Sequence, residues 1–294
     1  MANPAANSCA LLEGYAAFLR LMGHAVVQTP SSLWFNVRRG IYQPAFPFRQ
    51  DPRQADEAKQ VLRRGHALAC RWFSPRQLLG TASSEGPMIF VARPPYDLAR
   101  LQSKARNQTR RGLERVKVER TFFARQVEDQ AFPVYADNVR RLNLFPSESG
   151  LQQRWRHWTE ALRDSPVLDF WGAWQQETLV AFSITARTPW GLEILCQRSL
   201  AAALSVYPNN ALVFSIVNGA FSEGQPLVSY GLGEFSAKQT SLDHFKKGMA
   251  FEEIPLLESL EWSPFVRPLA RMLALRHLRG FVRFARRFRR APAK

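Results

Sequence analysis

A few short stretches hold the residue types that proton transfer and anion binding need. Glu193 sits in GLEILCQRS, a strand-like run. With a period of two it is expected to point with Leu195 and Gln197, away from Leu192, Ile194 and Cys196. If that face lines a cleft, the carboxylate could take the proton of an amine; otherwise it is an edge carboxylate in solvent. Lys246 follows Phe245 near the end of a short helix. A cation there could stabilise an oxyanion or hold a phosphate. It could equally complement the helix C-terminus, as Lys247 would. Phe245 reads as a core anchor. Asn209 and Asn210 open a helix whose body, ALVFSIVNGAF, is apolar on nearly all sides and must be buried. Its free N–H groups would attract an anion, although N-capping by Asn209 alone also explains the residue.

Weaker signals accompany these. Gly231 and Gly233 flank Leu232 at the end of a strand, where glycine permits close backbone approach, a bulge or a plain turn. Glu234 beside them is a second candidate base. Lys104 with Arg111, and Arg106 with Arg110, fall on two lines of one helix. They suit a phosphorylated donor, an RNA backbone or simply water. His24, His66, His157, His244 and His277 have no metal-ligand spacing, so no metal is expected. There is no G-x-S-x-G elbow, P-loop or dinucleotide fingerprint.

The elements that must position these groups read as an α/β (α+β) chain. An amphipathic helix over 9–22 precedes an extended, aromatic stretch. Asp51-Pro52 opens a helix through Arg64. ALACRWFS and MIFVAR are strands. Asp97 is expected to cap a single helix, DLARLQSKARNQTRRGLER, before the strand VKVERTFF. Two helices follow, about 128–143 and 149–163. Next come three meandering strands, VLDFWGAWQ, TLVAFSITART and GLEILCQRSL. A helix from Asn209, the strand LVSYGLGEF, a helix over 240–247 ended by Gly248, and the strand FEEIPLLE complete the order.

That order resembles the acyl-transferase fold of the GNAT superfamily. The segments YPNN and YGLGEFSAKQTSLDHFKKGMAFEEIPL, with YDLARLQSKARNQTRRGLERVKVER before them, resemble the FemAB-like branch, which pairs two such lobes. The likeness spans about residues 31–260. It implies tandem lobes, 1–126 and 127–262, each a mixed, mostly antiparallel sheet flanked by helices, followed by a basic amphipathic C-terminal helix in 263–294. It implies transfer of an acyl or aminoacyl group from an activated donor to an amine, without metal; Glu193 is the candidate base from its strand position, and Lys246 is the contact to the oxyanion or phosphate. Donor contacts would come from Gln197, Arg198, Ser199, Asn209, Asn210, Gly233 and Phe245. Ordinary members carry a glycine loop after the fourth strand that grips coenzyme A. Here Gln197-Arg198 runs into SLAAALSVYPNN, without glycine. The FemAB-like branch often lacks that loop, and some members use aminoacyl-tRNA. The donor is thus an acyl-CoA, another acyl thioester or an aminoacyl-tRNA; the acceptor is a small-molecule or lipid amine.

Composition bounds these readings. The 294 residues are 46% apolar and 12% aromatic, with 16 glycines and 19 prolines, which excludes disordered, collagenous and low-complexity chains. Three scattered cysteines give no disulfide framework, and a reducing cytoplasm is expected. Ser199–Ser222 has 24 uncharged residues, but YPNN in its middle makes two buried pieces joined by a turn a better reading than a membrane span. Net charge is +16, and residues 264–294 carry ten basic residues and no acidic one. From Leu278 on, Leu278, Phe281, Val282, Ala285 and Phe288 oppose Arg276, Arg279, Arg283, Arg286, Arg287 and Arg290. Residues 276–290 therefore suit an anionic membrane surface, which would make the protein peripheral, or tRNA phosphates; a solubilising tail that frays is the plain alternative. The rival class is a non-catalytic nucleic-acid-binding or scaffold protein using the basic surface. Lys246→Ala is expected to slow transfer with little loss of stability.

Overall fold

The computed structural model describes residues 4–38, 40–49, 51, 53–64, 67–75, 87–144, 147–233 and 240–268. Glu234, His66 and the whole 276–290 segment lie outside these residues, as does the expected C-terminal helix. The chain forms two compact units. The first comprises residues 1–23, 47–49 and 75–257; the second comprises 24–46, 50–74 and 258–294. A boundary at 126 falls inside the first unit, so sequence lobes and compact units are different partitions.

The first unit is built on seven strands: β5 (Met88–Ala92), β6 (Lys117–Thr121), β7 (Leu168–Gln175), β8 (Thr178–Thr188), β9 (Gly191–Ser199), β10 (Val228–Leu232) and the start of β11 (Glu252–Trp262). Their order is β11-β5-β10-β9-β8-β7-β6. Every neighbouring pair is antiparallel except β10 and β9, which run parallel. The long strands β7 to β9 form the expected meander, and Gln176 takes φ 55° in the tight turn between the first two.

Helices cover both faces. On one side lie α1 (Pro4–Leu21), α4 (Arg125–Arg141) and α5 (Glu148–Asp164). Tyr15, Phe18 and Leu19 of α1 share a buried stripe with i, i+3, i+4 spacing. Phe18 meets Trp158 of α5, and Trp155 of α5 meets Phe182 of β8. On the other side lie α3 (Ser103–Arg115), α6 (Pro208–Ser222) and α7 (Thr240–Gly248). Leu212, Val213, Ile216 and Val217 of α6 are all fully buried in that core. At roughly 1.5–3 kcal/mol for each buried side chain, they hold α6 firmly against the sheet. The uncharged run is two pieces, a 3-10 segment over Ala201–Val206 and α6, hinged at Tyr207 (φ 57°), but only α6 is buried as expected; the 3-10 segment buries Ala203 alone and lies largely exposed. Among the described residues no helix is long and apolar enough to cross a membrane.

The second unit carries β1 (Val26–Gln28), β2 (Leu33–Arg38), β3 (Ile41–Pro44), α2 (Gln54–Arg64) and β4 (Ala69–Pro75). β1, β2 and β3 pair antiparallel, and β3 pairs parallel with β4. Glu57 of α2 is buried; its carboxylate accepts bonds from Ser31 N–H (2.9 Å), Ser31 Oγ (2.6 Å) and Trp34 Nε1 (3.4 Å), pinning the turn before β2.

Boundary expectations needed correction. Asp97 caps only a 3-10 turn, Leu98–Arg100, and α3 starts afresh at Ser103. The carboxylate of Asp97 accepts from Ala99 and Arg100 N–H, which satisfies the turn and leaves Leu101 extended. Gly248 is the last residue of α7 rather than the residue beyond it; the left-handed position is Ala250 (φ 60°). β11 continues to Trp262, past FEEIPLLE.

Candidate active site

The β9–β10 pair is where the first unit's sheet opens. Only Val228↔Leu192 and Ser229↔Glu193 are paired. Beyond them β9 continues from Ile194 to Ser199 and β10 from Tyr230 to Leu232, with no ladder between. Two local features aim the strands apart. In β10, Gly231 takes φ 70° and the pairing with β5 shifts between Ser229 and Leu232. Only glycine enters that backbone region without cost. In β9, the pairing with β8 skips Leu195, because Ile184 faces Cys196 while Thr185 faces Ile194. Leu195 is a bulge residue.

The bulge decides which groups share a face. Across it the side-chain alternation slips by one. Glu193 therefore lies with Cys196 and Arg198, on the α1/α4/α5 face, whereas Gln197 and Ser199 lie with Ile194 on the α6 face. The expected alignment of Glu193 with Leu195 and Gln197 is wrong, since strict alternation assumes no bulge.

Glu193 is buried, 8% exposed, and accepts a hydrogen bond from Tyr15 Oη of α1 at 2.7 Å. Burial pushes its carboxyl from 4.5 up to about 7, and the Tyr15 bond opposes that rise. The expectation of a solvent-edge carboxylate thus fails. Burial, reinforced by the charge of Glu193 and the hydrogen bond to it, drives the Tyr15 phenol well above its ordinary value, so Tyr15 stays a donor. Arg198 sits over the Tyr135 ring at 5.8 Å and its Nη1 donates to Gln197 O at 2.9 Å. It shares Glu193's face and stands apart from the other expected donor contacts.

On the α6 face a polar set spans the gap. Tyr230 Oη donates to Gln197 Oε1. Gln197 Nε2 donates to Asn209 Oδ1 at 3.1 Å and Asn209 O at 3.2 Å, and Asn209 Nδ2 donates to Ser199 Oγ at 3.1 Å. Burial pushes the Tyr230 phenol upward, so it remains a donor. Asn209 is not the N-cap of α6. Tyr207 caps with its backbone alone and Pro208 takes the first helical position. Asn209 and Asn210 then occupy the second and third positions, whose N–H groups have no acceptor within the helix. Asn210 is buried, its Nδ2 3.5 Å from Met249 Sδ.

Lys246 is 3% exposed. Its Nζ donates to Leu232 O at 3.3 Å, lies 3.7 Å from Asp243 Oδ1, and rests 4.6 Å and 5.3 Å from the ring centres of Phe90 and Tyr230. It therefore adjoins the gap through Tyr230. Phe245 packs edge-on to Tyr230, as the core anchor expected. Gly233 donates its N–H to Met88 O at 2.6 Å, where a Cβ would come within 2.8 Å of the Phe90 ring. On α3, Lys104, Arg110 and Arg111 are exposed, while Arg106 turns back onto Leu101 O at 3.2 Å and leaves that surface. Among the described residues no group of three His, Cys, Asp or Glu is placed to hold a metal.

Two residues of this constellation escaped the sequence. Tyr15 is far away in the chain and its only signal was the amphipathic stripe of α1. Tyr230 could have been flagged as the aromatic one residue before the glycine bend.

No protein-family model and no curated protein matches the chain by sequence. Solved structures do match by shape. FemX superposes with TM-score 0.59 at 10% identity, covering 91% of this chain and 98% of FemX. The C-terminal domain of a putative lysylphosphatidylglycerol synthetase from Agrobacterium fabrum gives TM-score 0.57 at 13% identity, covering 93% and 98%. The L-PGS structure from Bacillus licheniformis gives 0.51 at 13% identity, covering 90% and 96%. These likenesses, with the mixed sheet parted at β9 and β10, establish that the chain has the FemAB-like fold.

Proposed function

We propose that the protein transfers an acyl or aminoacyl group from an activated donor, an acyl thioester or an aminoacyl-tRNA, to an amine acceptor. The observation that carries this reading is the loss of pairing between parallel strands β9 and β10 immediately after Glu193 and Ser229, beside the N-terminus of α6. An acyl carbonyl placed in that gap meets two chemically different sides. On the α1 face stands Glu193, a carboxyl with a pKa of about 7, suited to take a proton from the acceptor's ammonium at neutral pH and so free the amine lone pair for attack. On the α6 face, the Asn209 and Asn210 N–H groups and the Lys246 cation favour negative charge, on a donor phosphate or on the tetrahedral oxygen. One proton passes from the ammonium to Glu193, the freed amine nitrogen bonds to the carbonyl carbon, the bond to the donor's sulfur or ribose oxygen breaks, and the second proton lost from nitrogen goes to the departing sulfur or oxygen. The reading needs no metal and no covalent enzyme intermediate. Gln197, Ser199 and Asn209 order the donor side, and Tyr230 is the group that must yield Gln197 when a ligand enters.

One structural neighbour is named a putative lysylphosphatidylglycerol synthetase, which supports an aminoacyl donor and a lipid acceptor. The exposed Lys104, Arg110 and Arg111 of α3 would suit a tRNA backbone. Residues 276–290, with seven arginines and no acid, would hold the enzyme peripherally on the inner face of an anionic membrane.

The test is a transfer assay with isotope-labelled acyl-CoA and aminoacyl-tRNA pools and a panel of soluble and lipid amines, read by mass spectrometry. Label on an amine, lost in Glu193→Gln, supports the proposal. A folded protein without turnover on either donor, but with steeply salt-dependent RNA binding, would point instead to the non-catalytic reading.

A further inference from the structure

The second unit carries a groove that the transfer reaction leaves unused. It has a volume of about 510 Å³ and its wall includes Leu62, Leu68, Trp262 and Phe265. Single exposed apolar side chains are ordinary, but here Phe265, 94% exposed, and Leu68, 48% exposed, line the same groove. Its charged members are Lys59, Arg63, Arg267 and one acid, Glu261. Glu261 is 3.9 Å from Arg267, and Lys59 reaches Asp56 at 3.1 Å in a pair exposed on both sides. Such exposed pairs are weak and yield readily to a denser anionic surface. Arg267 and Pro268, the last described residues beside this groove, are followed in sequence by 26 residues with nine Lys or Arg and no acid.

We infer that this groove is a membrane-docking site, in which Phe265 and Leu68 enter the headgroup boundary of an anionic phospholipid bilayer while Lys59, Arg63 and Arg267 meet lipid phosphates. The charge sign selects an anionic surface over a second copy of this chain, which would bring cations to cations. The apolar wall selects a bilayer over a nucleic acid, whose backbone offers nothing to an exposed Phe and Leu. The inference is independent of the transfer chemistry and of residues 276–290, which would bind the same surface by charge from further along the chain.

The experiment is cosedimentation of the full chain with vesicles of phosphatidylcholine, alone or mixed with phosphatidylglycerol. Phe265→Ser and the pair Lys59→Glu/Arg63→Glu are each expected to weaken binding to the mixed vesicles about tenfold, at unchanged Tm, since these side chains are solvent-exposed. The same drop is expected when they are added to Arg286→Glu/Arg287→Glu, which separates groove from tail. Binding equal to the parent in both backgrounds would overturn the groove and leave the tail as the membrane contact. A charge reversal that weakens RNA binding while Phe265→Ser changes nothing would overturn it in favour of a nucleic acid.

Discussion

At the residue scale the reaction turns on Glu193. Its carboxyl must be ionised to accept a proton, and burial holds it near 7. Transfer should therefore rise with pH through that value and level off above it. Glu193→Gln should lower turnover by roughly 10²–10⁴-fold and abolish that limb of the profile. Stability should move the other way. The unfolded carboxyl loses its proton near pH 4.5 and the folded one near 7, so between them the folded state holds a proton that the unfolded state has released. Stability then falls as pH rises through that window. Thermal melts of Glu193→Gln should lack this fall and match or exceed the parent at pH 8. Lys246 revises an expectation. Because it is buried and donates to Leu232 O, Lys246→Ala should cost roughly 1–3 kcal/mol through the lost bond and the lost packing of its stem, rather than little. Lys246→Met keeps the stem, so its Tm should fall less than that of Lys246→Ala; unchanged turnover in folded Lys246→Met would remove this cation from the mechanism. Both residue identities were legible in the sequence. Their facing was not, because a bulge at Leu195 has no compositional mark.

At the scale of elements, α6 is the piece that everything else positions. Its apolar body made its burial legible, and Pro208 fixed its start better than the asparagines did. What could not be read was how closely α3 approaches it. Gly112 of α3 sits where an added Cβ would lie 2.7 Å from Tyr207 O and 3.2 Å from Ala211 Cβ. Gly112→Ala should therefore cost roughly 1–3 kcal/mol, seen as a Tm several degrees lower, and should weaken donor binding because the start of α6 moves with it. Asn209→Ala tests the same end more gently. It removes the bonds to Gln197 and Ser199 without a clash, so KM for the donor should rise more than Tm falls. The segment 97–115 divides into a 3-10 turn and α3, which its sequence does not show, because a good cap residue, Asp97, does not set how long the capped helix runs.

At the scale of the whole chain, charge and sheet tell different stories. The +16 balance is concentrated at the C-terminus and pointed to a surface partner, whereas the meander and the Asn-started helix pointed to the fold. The order of strands was largely legible from alternation and turn residues. The compact units were not, since residues 24–46 and 258–294 join 50–74 across long stretches of chain. Removing residues 269–294 should leave turnover on a soluble amine intact while weakening binding to anionic vesicles; loss of turnover on the soluble amine would tie the tail to the chemistry. The central claim is that the gap between β9 and β10 receives the activated acyl group. It is tested most directly by a crystal structure with a stable donor analogue, an acyl thioether of coenzyme A or an amide-linked 3′-aminoacyl adenosine. The account predicts the analogue's carbonyl between β9 and β10 past Glu193, with Tyr230 withdrawn from Gln197 and the donor's anionic end at Asn209. An analogue bound elsewhere, with the Tyr230–Gln197 bond intact across the gap, would contradict it.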